Sequence, residues 1–199
     1  MSPRNEEQNK QIRDDRREQI LKAALKVFAW RGLAAAKISD IAAEAGLSHG
    51  LVYHYFRSKD EIFTMLVETA LNGSKKVVEY AARQKLTPLG QLRWLTETIL
   101  KGISEDGAFF FLIIVQAFTS HAVPEQVKAM VNGHSPTALD SIVPIIIAGQ
   151  QAGEIVHDDP VKLGRAYFAL IQGISMEQAQ NKDGLPPLDA DLILRLFKA

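Results

Sequence analysis

Residues 38–57 read ISDIAAEAGLSHGLVYHYFR, and this stretch decides the fold. Ile38, Ile41, Ala42 and Ala45 repeat at the 3-4 spacing of a short helix buried along one side. Gly46 follows, a residue that turns the chain through positive φ at no steric cost. A second short helix is expected from Ser48 to Phe56. Two short helices crossing steeply at a tight turn need a small side chain where they touch, and Ala42 supplies it. They also need apolar residues before, within and after the turn, and Ile38, Ile41, Ala45, Leu47, Val52 and Tyr55 fill those positions. Every position of a helix-turn-helix pattern is occupied.

The second helix carries a distinctive outward face. In such a motif its first residues approach base edges in the major groove of a duplex. Ser48 can cap the helix and reach a phosphate, His49 can donate or accept at a base edge, Gly50 lets the backbone come close, and Leu51 can touch a thymine methyl. Tyr53, Lys59 and Lys37 suit phosphate contacts, which set register without reading sequence. Tyr55 and Phe56 read as core aromatics, whereas Tyr53 lies opposite Val52 and Phe56 and so points outward. His54 reads as a solvated or backbone-contacting side chain at the edge of the same face.

Upstream, Asp15 with Glu18 forms a capping-box pattern that opens a helix to about Arg31. Ile20, Leu21, Ala24, Leu25 and Phe28 make its apolar stripe, and Gly32 ends it as a left-handed cap. Residues 1–13 are charged and expected to form a disordered tail. Downstream, Ser58 with Glu61 is a second capping box, opening a helix to about Arg83. Further helices are expected over 87–101, 109–120, 124–132, 135–153 (kinked at Pro144), 159–180 and, after a Gly-Pro-Pro linker at 184–187, 189–198. The expected fold is all-α, with a three-helix DNA-binding domain over 14–60 and a larger helical domain over 61–199.

Bulk properties narrow the function. The 199 residues contain no cysteine, which excludes a disulfide framework and a thiolate metal site. Residues 1–60 hold 11 basic and 8 acidic side chains, residues 61–199 hold 12 and 15, so the head is the basic end. The opening 17 residues lack an apolar segment, and the apolar runs 109–115 and 142–148 are too short to span a bilayer. A soluble cytoplasmic protein with no membrane partner is expected. No nucleophile–base pair, metal cluster or phosphate loop marks an enzyme, and His121, His134 and His157 lack metal-ligand spacing, so neither metal nor cofactor is expected.

The run from Ile20 to Phe28, then Gly32, Ile38-Ser39-Asp40-Ile41-Ala42, Ala45-Gly46-Leu47-Ser48, Val52-Tyr53-His54-Tyr55-Phe56 and Ser58-Lys59 resembles the tetracycline-repressor (TetR) family over about residues 14–70. The resemblance implies an all-helical homodimer on double-stranded DNA, with a divergent C-terminal ligand domain. Most members are repressors released by a small molecule, although an activator or a protein partner for the body stays open. It marks Ser48, His49, Gly50, Leu51, Tyr53 and Lys59 as DNA-facing and sets Lys37 and Ser39 near phosphate. The chain departs from the pattern at Ala36 and Lys37, where the family usually has a capping Thr or Ser, a loss of about 1 kcal/mol. Ser39 often corresponds to a basic residue.

In the body, Trp94, Phe109, Phe110, Phe111, Ile114, Phe118, Met130 and Phe168 are more apolar bulk than a small bundle requires, and with Gln116, His121, His134 and Gln172 as sparse polar groups they suggest a cavity for an apolar or amphipathic effector. Leu163, Tyr167, Leu170 and Ile174, with Leu192, Ile193, Leu196 and Phe197, recur at helical spacing and are expected to build a four-helix dimer interface.

Overall fold

The computed structural model describes residues 3–103, 107–133, 137–180 and 188–199. The expected helix start at 135–136, the linker at 184–187 and the candidate ligand residue His134 lie outside the described residues. Ten helices are described: α1 (Pro3–Ala35), α2 (Ile38–Ala45), α3 (His49–Tyr55), α4 (Lys59–Ala82), α5 (Pro88–Gly102), α6 (Ala108–Thr119), α7 (Glu125–Asn132), α8 (Ala138–Gln151), α9 (Pro160–Gln180) and α10 (Ala190–Leu194). No strand occurs among the described residues beyond an isolated bridge between Ile155 and Lys198.

The starts of α1 and α8 and the end of α10 differ from expectation, each for a physical reason. α1 starts at Pro3, so it takes in residues expected as a disordered tail. Asp15 lies inside the helix and cannot cap it. Its carboxylate accepts from Gln11 Nε2 at 2.8 Å, one of the side-chain links that support an exposed helix. α8 is capped by Thr137, whose hydroxyl accepts from Asp140 N–H while the Asp140 carboxylate accepts from Thr137 N–H at 2.7 Å. Those Thr137 donors hold the Asp140 carboxyl below its ordinary range. α10 stops at Leu194 because the chain then turns to pair: the Phe197 carbonyl accepts from Val156 N–H at 2.9 Å, and Ala199 N–H donates to the Glu154 carbonyl at 3.2 Å.

The helices group into two compact units. The first takes Met1–Glu68 together with Val115–Asn132, so the end of α6 and all of α7 group with the helix-turn-helix and not, as expected, with the body. Its centre is built from Ile20, Ala24, Leu25 and Phe28 of α1, Ile38, Ile41, Ala42 and Ala45 of α2, Val52, Phe56, and Ile62 and Phe63 of α4, all buried. Phe28 and Phe63 meet edge to face, with centroids 5.4 Å apart. Leu47 and Tyr55, expected as core, are half-buried, and Phe56 is wholly buried beside them.

The second unit comprises Thr69–Ile114 and Gly133–Ala199. Leu92, Leu95 and Ile99 of α5, Ile142 and Ile146 of α8, Tyr167 and Ile171 of α9, and Ile193 and Phe197 share one core. α8 and α9 pack closely because Gly164 carries no side chain: a Cβ there would sit 2.8 Å from Leu139 Cδ1. Gln150 fixes the connection between these helices by donating to the Val156 carbonyl at 3.0 Å and the Asp158 carbonyl at 2.7 Å.

Candidate nucleic-acid interface

The turn of the motif is set by backbone chemistry legible in its residues. Gly46 takes φ 65° and ψ 31°, the left-handed conformation that ends α2. Ser48 then caps α3, its hydroxyl oxygen accepting from Leu51 N–H at 3.2 Å. A hydroxyl that accepts keeps its own proton for a donation outward. Val52 is the buried residue of α3, and Leu51 and Tyr55 are half-buried. His49, Gly50, Tyr53 and His54 are exposed with Ser48, and Tyr53 keeps half its surface open. His49 and Tyr53 stand one turn apart, with rings edge-on and centroids 4.9 Å apart.

Lys37 and Ser39 are exposed at the start of α2. Lys37 occupies the cap position without contributing a side-chain hydrogen bond, as expected of an ammonium that has no acceptor. Asp40 partly compensates: its carboxylate accepts from Lys37 N–H at 3.0 Å and pairs with Arg31 at 3.0 Å.

Lys59 is placed differently from the expectation of a phosphate contact. Its ammonium donates to the carbonyls of Leu33 at 2.7 Å, Ala34 at 3.1 Å and Ala36 at 2.9 Å. Those carbonyls close α1, where the negative end of the helix dipole and orphan acceptors attract a cation. Two further side chains escaped the sequence reading. Arg17 donates to the Tyr55 carbonyl at 2.9 Å and lies 4.5 Å above the Phe56 ring, and Gln19 donates to the Ala45 carbonyl at 2.7 Å. Each satisfies the carbonyl end of a motif helix. The signal was present, since Arg17 continues the α1 stripe of Ile20, Ala24 and Phe28 by one turn.

The described candidate effector residues divide between the two units. Trp94, Phe111 and Phe168 pack against the core of the second unit, and Phe110 and Ile114 are half-buried there. Gln172 of that unit is exposed. Phe118, exposed, and Met130, half-buried, belong to the first unit. Gln116, expected as a cavity polar group, donates to the Phe28 carbonyl at 2.8 Å. One surface hollow is lined by Lys26, Trp30 and Asp40 among others and another by Leu89, Arg93 and Asp191 among others, and neither contains a candidate effector residue.

The expected dimer residues are divided. Tyr167 is wholly buried in its own chain, and Leu163, Leu170 and Ile174 pack against the same core. Thr96 donates to the Leu92 carbonyl at 2.7 Å, so the Tyr167 hydroxyl, 3.0 Å from Thr96 Oγ1, is the donor of that pair. Burial pushes the phenol well above its ordinary pKa. Leu192 and Leu196 remain exposed. Among the described residues, no group of three or more His, Cys, Asp or Glu is placed to hold a metal, and no helix is long and apolar enough to cross a membrane.

A capped, exposed α3 seated against α2 through Gly46 defines a helix-turn-helix regulator fold. The model of the tetR family of bacterial regulatory proteins matches residues 20–66. The transcriptional activator FasR of Mycolicibacterium smegmatis is 31% identical over 139 residues, 69% of this chain and 64% of that protein. The fatty acid metabolism regulator protein of Bacillus subtilis is 27% identical over 147 residues, 74% of each chain. The crystal structure of the TetR-family regulator PfmR from Thermus thermophilus superposes with a TM-score of 0.67 at 26% identity, over 88% of this chain and 97% of that one. Residues 20–66 of the chain belong to the tetR family of bacterial regulatory proteins. Its family and fold are those of transcriptional regulators and not of enzymes. The match spans 64%, 41% and 43% of the length of three curated relatives, FasR, YfiR of Bacillus subtilis and AcrR of Shigella flexneri.

Proposed function

We propose that this protein is a sequence-specific repressor that binds a palindromic site on double-stranded DNA as a homodimer and is released by an apolar or amphipathic effector. The observation that carries the reading is the exposed front edge of α3, where Ser48, His49, Gly50 and Tyr53 lie clear of the chain's own core. In this reading His49 reads a base edge, Gly50 admits the backbone, and Leu51 touches a thymine methyl. Ser48, Tyr53, Lys37 and Ser39 hold phosphate, with His54 at the margin. Binding is tested by titrating duplex DNA with the purified chain over a range of salt. The affinity falls linearly on logarithmic axes as phosphate contacts release counterions. A chain that ignores duplex DNA at low salt rejects the reading.

A dimer follows from the need to read two half-sites about 34–36 Å apart. The reading is supported by the outer face of α9, where Ala166, Ala169, Gly173 and Met176 recur at 3-4 spacing and are exposed, and by exposed Ile147 and Ala148 of α8. Leu192 and Leu196 keep a place at such an interface. An effector that favours a different spacing of the heads weakens DNA binding, and DNA weakens effector binding by the same factor. The name of the Bacillus relative supports fatty acids as the first class to try. Equal DNA affinity with and without a panel of long-chain fatty acids removes that class from the proposal.

A further inference from the structure

α1 does not run evenly to its end. At Gly32 the backbone takes φ 71° and ψ 160°, which breaks the helix one turn before it meets α2. Carbonyls at the end of a helix have no intrahelical donor and need one from elsewhere. Two side chains far along the sequence donate to carbonyls on either side of this break. Gln116 Nε2 reaches the Phe28 carbonyl, one turn before the break, at 2.8 Å. Lys59 Nζ reaches the carbonyls of Leu33, Ala34 and Ala36 beyond it, at 2.7, 3.1 and 2.9 Å. An ammonium has three protons, and these three bonds use all of them. The residue that follows Ala36 is Lys37, the exposed start of α2, with Ser39 two positions on.

We propose that Lys59 and Gln116 are positioning residues for DNA binding, which fix the joint between α1 and α2 so that Lys37 and Ser39 meet phosphate, and that neither touches DNA itself. The inference rests on the reading of α2 and α3 as a DNA-binding face. It runs against what residue type alone suggests for Lys59, a basic side chain beside a reading head. The difference is measurable. Two lysines that each hold a phosphate act independently, so their losses add. A lysine that only aims another gives losses that do not add.

The test uses the full-length chain and a duplex that the wild type has enriched from a random-sequence pool. Lys59→Met weakens binding by on the order of tenfold, the size expected from one misplaced phosphate contact per head. Lys37→Ala costs as much in the wild type but little more in the Lys59→Met background. The salt slope of the double variant falls by no more than that of Lys37→Ala alone, about 0.9 per head. Lys59→Arg, which keeps donors at the joint, restores most of the affinity. Gln116→Met shows the same non-additivity with Lys37→Ala, and it carries the test if Lys59→Met fails to fold by circular dichroism. Additive losses with twice the fall in slope make Lys59 a direct phosphate contact and overturn the proposal. A Lys59→Met chain that melts earlier but binds unchanged also overturns it, since the residue is then structural only. A wild type that enriches no duplex removes the DNA reading, and this inference with it.

Discussion

His49 and Tyr53 share one exposed face of α3 and touch edge to face, yet they are assigned different work. A side chain on phosphate supports every sequence alike, whereas one on a base edge discriminates. Tyr53→Ala is therefore expected to weaken binding uniformly across duplexes. His49→Ala is expected to flatten the preference at particular base pairs by about 1–3 kcal/mol, read by fluorescence anisotropy against single-base variants. Unchanged preference in His49→Ala contradicts its role as a reader. The local residues of this face were legible in sequence because their partners are near: Ser48 caps Leu51 three positions on, and Gly46 follows the helix it ends. The carbonyl bonds of Lys59 were not legible because its partners lie 23 to 26 positions away, and a charge beside a reading head suggests a phosphate contact by residue type alone.

Among the elements, α2 lacks the hydroxyl cap usual at its position and leans on Asp40. Asp40→Ala removes both the acceptor for Lys37 N–H and the pairing with Arg31, and is expected to lower stability by about 1 kcal/mol in denaturant melts. α9 offers a contrast on one helix. Gly164→Ala drives a Cβ to 2.8 Å from Leu139 Cδ1 and is expected to cost about 1–3 kcal/mol in the same melts. Gly173→Ala meets nothing within 4 Å in its own chain, and the alanine favours helix by about 0.5–1 kcal/mol, so the stability of the fold is expected to hold or rise. Periodicity placed most helices within a few residues because caps and prolines are local signals, as at Thr87-Pro88 and Ser58. It failed at α10, whose last residues leave the helix to bond Val156 and Glu154, a choice made by distant backbone. It also gave the apolar stripe of α9 to a partner subunit. Leu163, Tyr167, Leu170 and Ile174 repeat at the right spacing, but spacing does not say whose core they fill.

For the whole molecule, the exposed line of Ala166, Ala169, Gly173 and Met176 carries the dimer proposal. Ala169→Arg is expected to yield monomers by sedimentation and to weaken operator binding steeply, because two linked heads gain from effective concentration what one cannot. A wild type that sediments as a monomer contradicts it. The candidate effector residues were the least legible, since aromatic residues do not announce which helices will gather them, and Phe118 and Met130 fell in a different unit from Trp94 and Phe168. The central claim is that the outer edge of α3 reads a duplex, and enrichment from a random pool of double-stranded DNA tests it most directly. The account predicts a two-fold symmetric sequence whose half-sites are centred about one helical turn apart or a multiple of it, with an altered preference when His49→Ala is used in place of the wild type. Recovery of no preferred sequence, or of the same sequence by both proteins, contradicts it.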